Sequence, residues 1–271
     1  MFDLLQMDFV LNAISAIFPL SLMCGIIGSL ISINRLSYVA GGLTHGAYGG
    51  VGIGVFFSLP ILLSASVFTL ILALLMGYLI QNHKPHSDHF IGAIWAFGMA
   101  VGIILIDLSS GYKADMMGYL FGNILLLSHL NLTLLWVGSG VCAFVVFLFY
   151  PQLQALSYDE EFALLRGVRT RMFFYLLIVL IAFCITLSMQ AVGLILVIAL
   201  LSIPTFIAQN LCKTLSSMMI VCTLLNLTFC FVGLILSFCF DLSSGASIIL
   251  VSVLGFALYL LAHTIAKKVK I

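Results

Sequence analysis

The sequence predicts an all-α protein that crosses a membrane many times. Three observations carry that prediction. Of its 271 residues, 63% are hydrophobic and 7% charged, a composition that suits lipid and not a soluble core. Apolar runs of about 20 residues, the helical length needed to cross a hydrocarbon core about 30 Å thick, recur along the whole chain. The runs are continuous, without the alternation of a membrane barrel, and lipid offers exposed backbone groups no partners, so each run must be helical.

Nine spans are expected, at roughly 10–33, 37–57, 60–80, 90–108, 130–150, 172–190, 192–210, 216–238 and 243–265. The first follows Asp3 and Asp8 with no basic residue, unlike the positive start of a cleaved signal peptide, so it is expected to stay. The second carries Gly41, Gly42, Gly46, Gly49, Gly50, Gly52 and Gly54 around His45. Gly42, Gly46, Gly50 and Gly54 recur every fourth residue, a small-residue face on which another helix can pack backbone to backbone. Gly41, His45 and Gly49 form the adjacent ridge, which leaves open space beside the imidazole. Ionisable groups inside membranes face cavities or pathways, and neutral imidazole is a common metal ligand, so His45 is the first candidate on a metal pathway. The alternative is a histidine that only hydrogen-bonds a neighbouring helix.

Between the third and fourth spans, His83, His86 and His89 with Asp88 fall within seven residues. They could chelate zinc as a cytoplasmic sensor that slows transport. Their spacing matches no structural zinc motif, however, and a solvated loop is the preferred reading. Segment 116–126 is apolar but too short to span, and reads as a re-entrant or interfacial helix on the outer side. Six of the nineteen charged side chains lie between Asp159 and Arg171, inside the polar loop 151–171. The order there, Asp159-Glu160-Glu161 before Arg166, Arg169 and Arg171, suits a helix dipole, and Gly167 predicts where a short helix ends. Pro204 is expected to kink the seventh span. Asp241, at the outer junction of the last two spans, has two readings. It either caps the N-terminus of the ninth helix or points into the bundle as a hard oxygen ligand for a divalent cation.

Nine alternating spans with the N-terminus outside and the C-terminus in the cytoplasm place Arg35, Lys84, Arg166, Arg169, Arg171, Lys213, Lys267, Lys268 and Lys270 inside. Only Lys113 falls outside, as the retention of positive charge in the cytoplasm requires. All seven cysteines lie in or at the ends of apolar segments without a Cys-x-x-Cys pair, which reads as packing; Cys222, Cys230 and Cys239 share one span. No linker or low-complexity tract divides residues 1–271, which read as one domain. There is no Gly-x-x-x-x-Gly-Lys-Ser/Thr loop, no His-Glu-x-x-His site and no Gly-x-Ser-x-Gly elbow, so the chain is not expected to be an enzyme or to hydrolyse ATP itself. A net charge of +1 gives no reason to expect a nucleic-acid partner.

The spacing Glu161-Phe162-Ala163-x-x-x-Gly167 resembles the Glu-Ala-Ala-x-x-x-Gly loop by which permease subunits of ATP-binding-cassette importers contact their ATPase, with Phe162 in place of the first alanine. The chain resembles the permease of zinc, manganese and chelated-iron ABC importers along nearly its full length. Gly41-Gly42-Leu43-Thr44-His45-Gly46 looks like that family's second-helix Ser-His motif, and Leu120-Phe121-Gly122-Asn123-Ile124-Leu125 like its outer Leu-Phe-Gly segment. Leu156 to Ala163 is similar to the coupling loop, and Val192 to Val197 followed by Ile203-Pro204 to the late helix. Asp241 with Gly245 is similar to the last motif.

The resemblance implies a permease homodimer in the lipid of a bacterial cytoplasmic membrane, a cytoplasmic ABC ATPase dimer that holds the ATP, and an extracellular or periplasmic metal-binding protein. It implies no resident cofactor and a transported Zn²⁺ first, or Mn²⁺ or iron, with His45 and Asp241 on its route. Asp159, Glu160, Glu161, Ala163 and Gly167 are implied in coupling to the ATPase. Many relatives carry an aspartate four residues before the motif histidine, where this chain has Gly41, which implies a softer site, different selectivity or transient passage. The competing expectation is an ion-gradient-driven secondary metal transporter or channel that needs no ATPase.

Overall fold

A computed structural model describes residues 8–83, 86–109, 118, 120, 122 and 124–269. Asp3, Lys84, Pro85, Tyr119, Phe121, Asn123 and Lys270, and the whole of segment 110–117 with Lys113, fall outside the described residues. Those described form helices joined by short turns, with no strand among them. The helices are α1 (Asp8–Ile33), α2 (Ser37–Phe56), α3 (Ile61–Asn82), α4 (Ser87–Leu108), α5 (His129–Leu148), α6 (Tyr150–Tyr158), α7 (Glu160–Leu165), α8 (Thr170–Leu211), α9 (Leu215–Phe240) and α10 (Ser244–Val269). Of the segment expected as an interfacial helix, Ile124–Leu126 forms one 3₁₀ turn.

Among the described residues, seven helices are long and apolar enough to cross a membrane: α1, α3, α4, α5, α8, α9 and α10. Helix α2 is not one of them, because its seven glycines dilute its hydropathy. Helix α8 joins two expected spans, 172–190 and 192–210, with no intervening loop. Its 42 residues would reach about 63 Å if straight, roughly twice a hydrocarbon core.

The break falls at Gly193, with φ 77° and ψ 167°, a conformation essentially reserved to glycine. The first half of α8 runs antiparallel to α5, with Phe173 beside Phe149 at one end and Leu187 against Gly138 nearer the other. Helix α5 itself runs with α1, since the Trp136 indole donates to Ser15 near both helix starts. The second half of α8 returns along α1, with Leu201 and Thr205 on Gly28 and Gln209 accepting from Ser32 at 2.8 Å. The two halves therefore point in opposite directions. Pro204 leaves the backbone helical, so the break belongs to Gly193 and not to the proline expected to bend this region.

The hairpin corner packs on the backbone of Gly122, itself at φ 64°, where any side chain would collide with Val192 and Gly193. From there α8 runs through the centre of the bundle, touching α1, α2, α3, α5, α9 and α10. Leu194, Leu196 and Val197 are fully buried in that core, with Leu20 and Ile27 of α1. At one end of the bundle the α1–α2 turn meets α6, where Asn34 donates to Ser157 at 2.8 Å, and Arg35, Tyr158 and Lys213 line one polar pocket. Basic turns and charged loop thus gather at a single end. Pro60, Asn131 and Gln190 line a pocket elsewhere, at the corner where α3 and α5 begin.

Candidate functional site

Helix α2 is clasped between α3 and α4 by its glycines. A methyl group on Gly46 would stand 2.8 Å from Leu72, one on Gly50 2.6 Å from the Ala65 Cα, and one on Gly54 2.5 Å from the Ser64 hydroxyl, all on α3. Gly42 faces both neighbours, Met76 of α3 and Ile91 of α4. The expected four-residue ladder is therefore a packing face. A second set of glycines serves α4. A Cβ on Gly98 would lie 2.6 Å from the Gly46 Cα, and one on Gly52 2.5 Å from the Gly102 carbonyl. Backbones this close are what small residues permit where helix association depends on packing.

That approach determines the surroundings of His45. Its imidazole lies flat on the Trp95 indole of α4, ring centres 4.5 Å apart and planes 6° from parallel. Tyr38 meets the same indole at 6.4 Å and 61°. His45 Nδ1 is shielded and has no hydrogen-bond partner, so the interhelical hydrogen bond weighed as the alternative is not made there. The open space expected beside the imidazole is found on one side of the ridge. Nothing lies within 4 Å of a methyl group on Gly41, whereas Gly49 is closed by Phe68 and the Gly98 carbonyl. Gly41 also lines a small pocket with Ser37, Thr44, Leu201 and Ser202, between α1, α2 and the second half of α8.

Asp241 is elsewhere. It ends α9 in the left-handed conformation, φ 53° and ψ 45°, with its N–H donating to the Ser237 carbonyl. It is exposed. Helix α10 begins three residues later, so Asp241 neither caps that helix nor points into the bundle. The α9–α10 pair packs on α1 and α8, whereas α2 packs on α3, α4 and α8. The two pathway candidates are not brought together in one chain.

The charged loop forms what its pattern predicts, in two pieces. After α6, Asp159 caps α7, accepting the Phe162 N–H at 2.9 Å, an interaction worth about 1 kcal/mol. The far end closes through Gly167, at φ 81°. Its N–H donates to the Leu164 carbonyl, and that of Val168 to the Ala163 carbonyl, the paired bonds of a Schellman turn. Ala163 is fully buried, while Leu165 is 87% and Phe162 50% exposed. Arg166 covers the Phe162 ring at 5.0 Å. The residue that departs from the double-alanine pattern thus carries a cation on its face.

His83, His86 and His89 are exposed at the α3–α4 turn, where His86 and His89 have ring centres 6.5 Å apart and His83 lies against Phe90. Among the described residues, no group of three His, Cys, Asp or Glu is arranged to hold a metal ion. Cys222 and Cys230 are buried and Cys239 is exposed. Sequence reasoning missed Trp95; its only local signal is that it lies three residues before Gly98 in a helix otherwise poor in polar atoms.

Residues 6–263 match the model of the ABC 3 transport family. An uncharacterized membrane protein of Synechocystis sp. is 44% identical over 96% of this chain and 92% of its own length. The manganese transport system membrane protein MntC of Halalkalibacterium halodurans is 31% identical over 94% and 88%. The high-affinity zinc uptake system membrane protein ZnuB of Haemophilus influenzae is 29% identical over 89% and 92%. Among solved structures, PsaBC from Streptococcus pneumoniae in complex with Fab superposes with a TM-score of 0.86 at 28% identity, covering 95% of this chain and 93% of that one. The helical bundle, the glycine-packed α2 and the capped α7 are thus those of a chain that belongs to the ABC 3 transport family.

Proposed function

We propose that this chain is the permease subunit of an ATP-driven importer of divalent metal ions, carrying Zn²⁺ or Mn²⁺ across the bacterial cytoplasmic membrane. It is a multi-pass membrane component and not the ATPase. The observation that carries the reading is α7. A six-residue helix capped at both ends leaves Phe162, Leu164 and Leu165 exposed at the end of the bundle where the basic turns gather. An isolated helix of that length would not hold its shape without its caps and its buried Ala163. Exposed apolar side chains on a rigid element suit a docking partner. A cytoplasmic ATPase fits, since the chain has no phosphate-binding loop of its own, and Asp159 to Gly167 would carry its motion into the bundle.

In this reading the chain crosses nine times as one unit, with the N-terminus outside. The lysine and arginine distribution and the reversal at Gly193 both favour it. Two copies enclose the route, in contact with lipid on their outer faces, and an external metal-binding protein delivers the ion. A transported ion must be held weakly enough to leave, so His45 with water suits the task better than a closed four-ligand cage. With Asp241 exposed at the α9–α10 corner, its place is at the outer mouth, where a negative charge attracts cations.

The test is co-purification of the tagged chain from its membrane, followed by ATPase measurements on the reconstituted assembly. Recovery of an ATPase stimulated by a metal-loaded binding protein is expected. A chain that purifies alone and moves metal without ATP would overturn the importer reading in favour of a secondary transporter.

A further inference from the structure

Trp95 is the contact of His45 that no motif accounts for. An imidazole binds a cation along the in-plane lone pair of a ring nitrogen, so a partner lying on its face does not itself take up either nitrogen. The stack at 4.5 Å and 6° therefore restricts the rotation of the ring without occupying its ligand atoms, and Nδ1 remains without a hydrogen-bond partner. An imidazole that holds a metal ion is drawn positive, and indole offers the best aromatic face to positive charge. The same contact is consequently stronger when His45 is loaded than when it is empty.

Trp95 is itself held from two directions. Tyr38, two helical turns before His45, meets the indole at 61°, and the Gly46–Gly98 approach, at positions adjacent to His45 and one turn after Trp95, sets the distance between α2 and α4. On the His45 ridge, Phe68 closes the Gly49 side and the Gly41 side is open.

From this arrangement we infer that Trp95 is a positioning residue for metal passage. It fixes the plane of the His45 ring for an ion approaching on the Gly41 side of α2 and favours the ion-loaded imidazole. The inference rests on the reading of His45 as a metal ligand.

The chain contains two tryptophans, Trp95 and Trp136, so Trp136→Phe leaves Trp95 as this chain's only indole. In the assembled permease–ATPase complex carrying that change, with the emission of the same complex carrying Trp95→Phe as well subtracted to remove the other subunits, Mn²⁺ is expected to quench the remaining emission saturably, because a paramagnetic ion on His45 lies close to the indole. Adding His45→Ala is expected to abolish the quenching. Trp95→Leu should raise the Mn²⁺ concentration that half-saturates uptake roughly three- to tenfold, with Trp95→Phe recovering most of the loss. If His45→Ala stops uptake but Mn²⁺ leaves the Trp95 emission unchanged, the role of Trp95 is overturned while His45 keeps its own. Quenching that survives His45→Ala, or a Trp95→Leu complex that loses yield with no change in half-saturation, overturns it equally. Full uptake by His45→Ala overturns the ligand reading beneath it.

Discussion

Replacing Gly98 by alanine tests the backbone-to-backbone approach of α2 and α4 and the site that depends on it. The added methyl would stand 2.6 Å from the Gly46 Cα and 2.8 Å from its carbonyl oxygen, against 3.4 Å for the near edge of ordinary contact. Both obstacles are backbone, so neither can rotate away, and α2 and α4 must part by about 0.8 Å. Overpacking of this kind costs about 1–3 kcal/mol, partly offset by up to about 1 kcal/mol from the better helix propensity of alanine. Helices α2 and α4 share the most extensive pairing in the bundle, so the strain is not confined to one residue. The parting also loosens the His45–Trp95 stack one turn away.

The assay is thermal unfolding in detergent by near-ultraviolet circular dichroism, paired with metal uptake in vesicles. Gly140→Ala is the control, because a methyl there meets nothing within 4 Å. Gly98→Ala should melt several degrees below the control and take up metal more slowly. Equal melting temperature and equal uptake in the two variants would show that the α2–α4 backbones are not in contact as described.

Three further outcomes are expected. Alanine at Gly193 cannot easily adopt φ 77° and ψ 167°, and the strain of about 1–3 kcal/mol for such backbone should lower the yield of monodisperse permease; size-exclusion profiles indistinguishable from the parent would count against the one-residue reversal. Charge reversal at Glu160 and Glu161 together should leave the permease folded, by circular dichroism, while reducing ATPase stimulation by metal in the assembly; unchanged coupling would reduce the α7 region to a solvated connector. Replacing His83, His86 and His89 together should leave uptake and its response to internal metal unchanged, and a variant whose uptake no longer slows as internal metal rises would establish a sensor at the α3–α4 turn.

What could be foreseen in this sequence divides by the range of the interactions involved. The spans were legible because lipid imposes one requirement on every residue of a run. The α7 module was legible because its determinants are local: Asp159 caps an amide three residues on, and Gly167 closes a turn on carbonyls three to five residues back. The environment of His45 was legible only in part. The glycines mark the ridge, but Phe68, which closes it at Gly49, and Trp95, which stacks on the ring, come from other helices, and nothing in α2 announces them. Asp241 shows how little a local pattern decides at a corner. Either end of Asp-Leu-Ser-Ser-Gly could start a helix, and because α10 begins at Ser244, the aspartate finishes the preceding helix instead. Pro204 drew attention to the right span for the wrong reason, since a proline flanked by intact turns is tolerated while Gly193 takes the whole change of direction.

The Gly193 corner has a consequence for how the protein is made. In the nine-crossing topology a membrane-insertion machine meets, from Met172 to Leu211, forty residues without a charge and with no hydrophilic stretch between the two passes to thread across. Neither half can be halted and released by itself. The pair must enter the lipid together as a preformed hairpin, and its tip can settle only once Gly122, synthesised long before, is waiting on the far side to receive it.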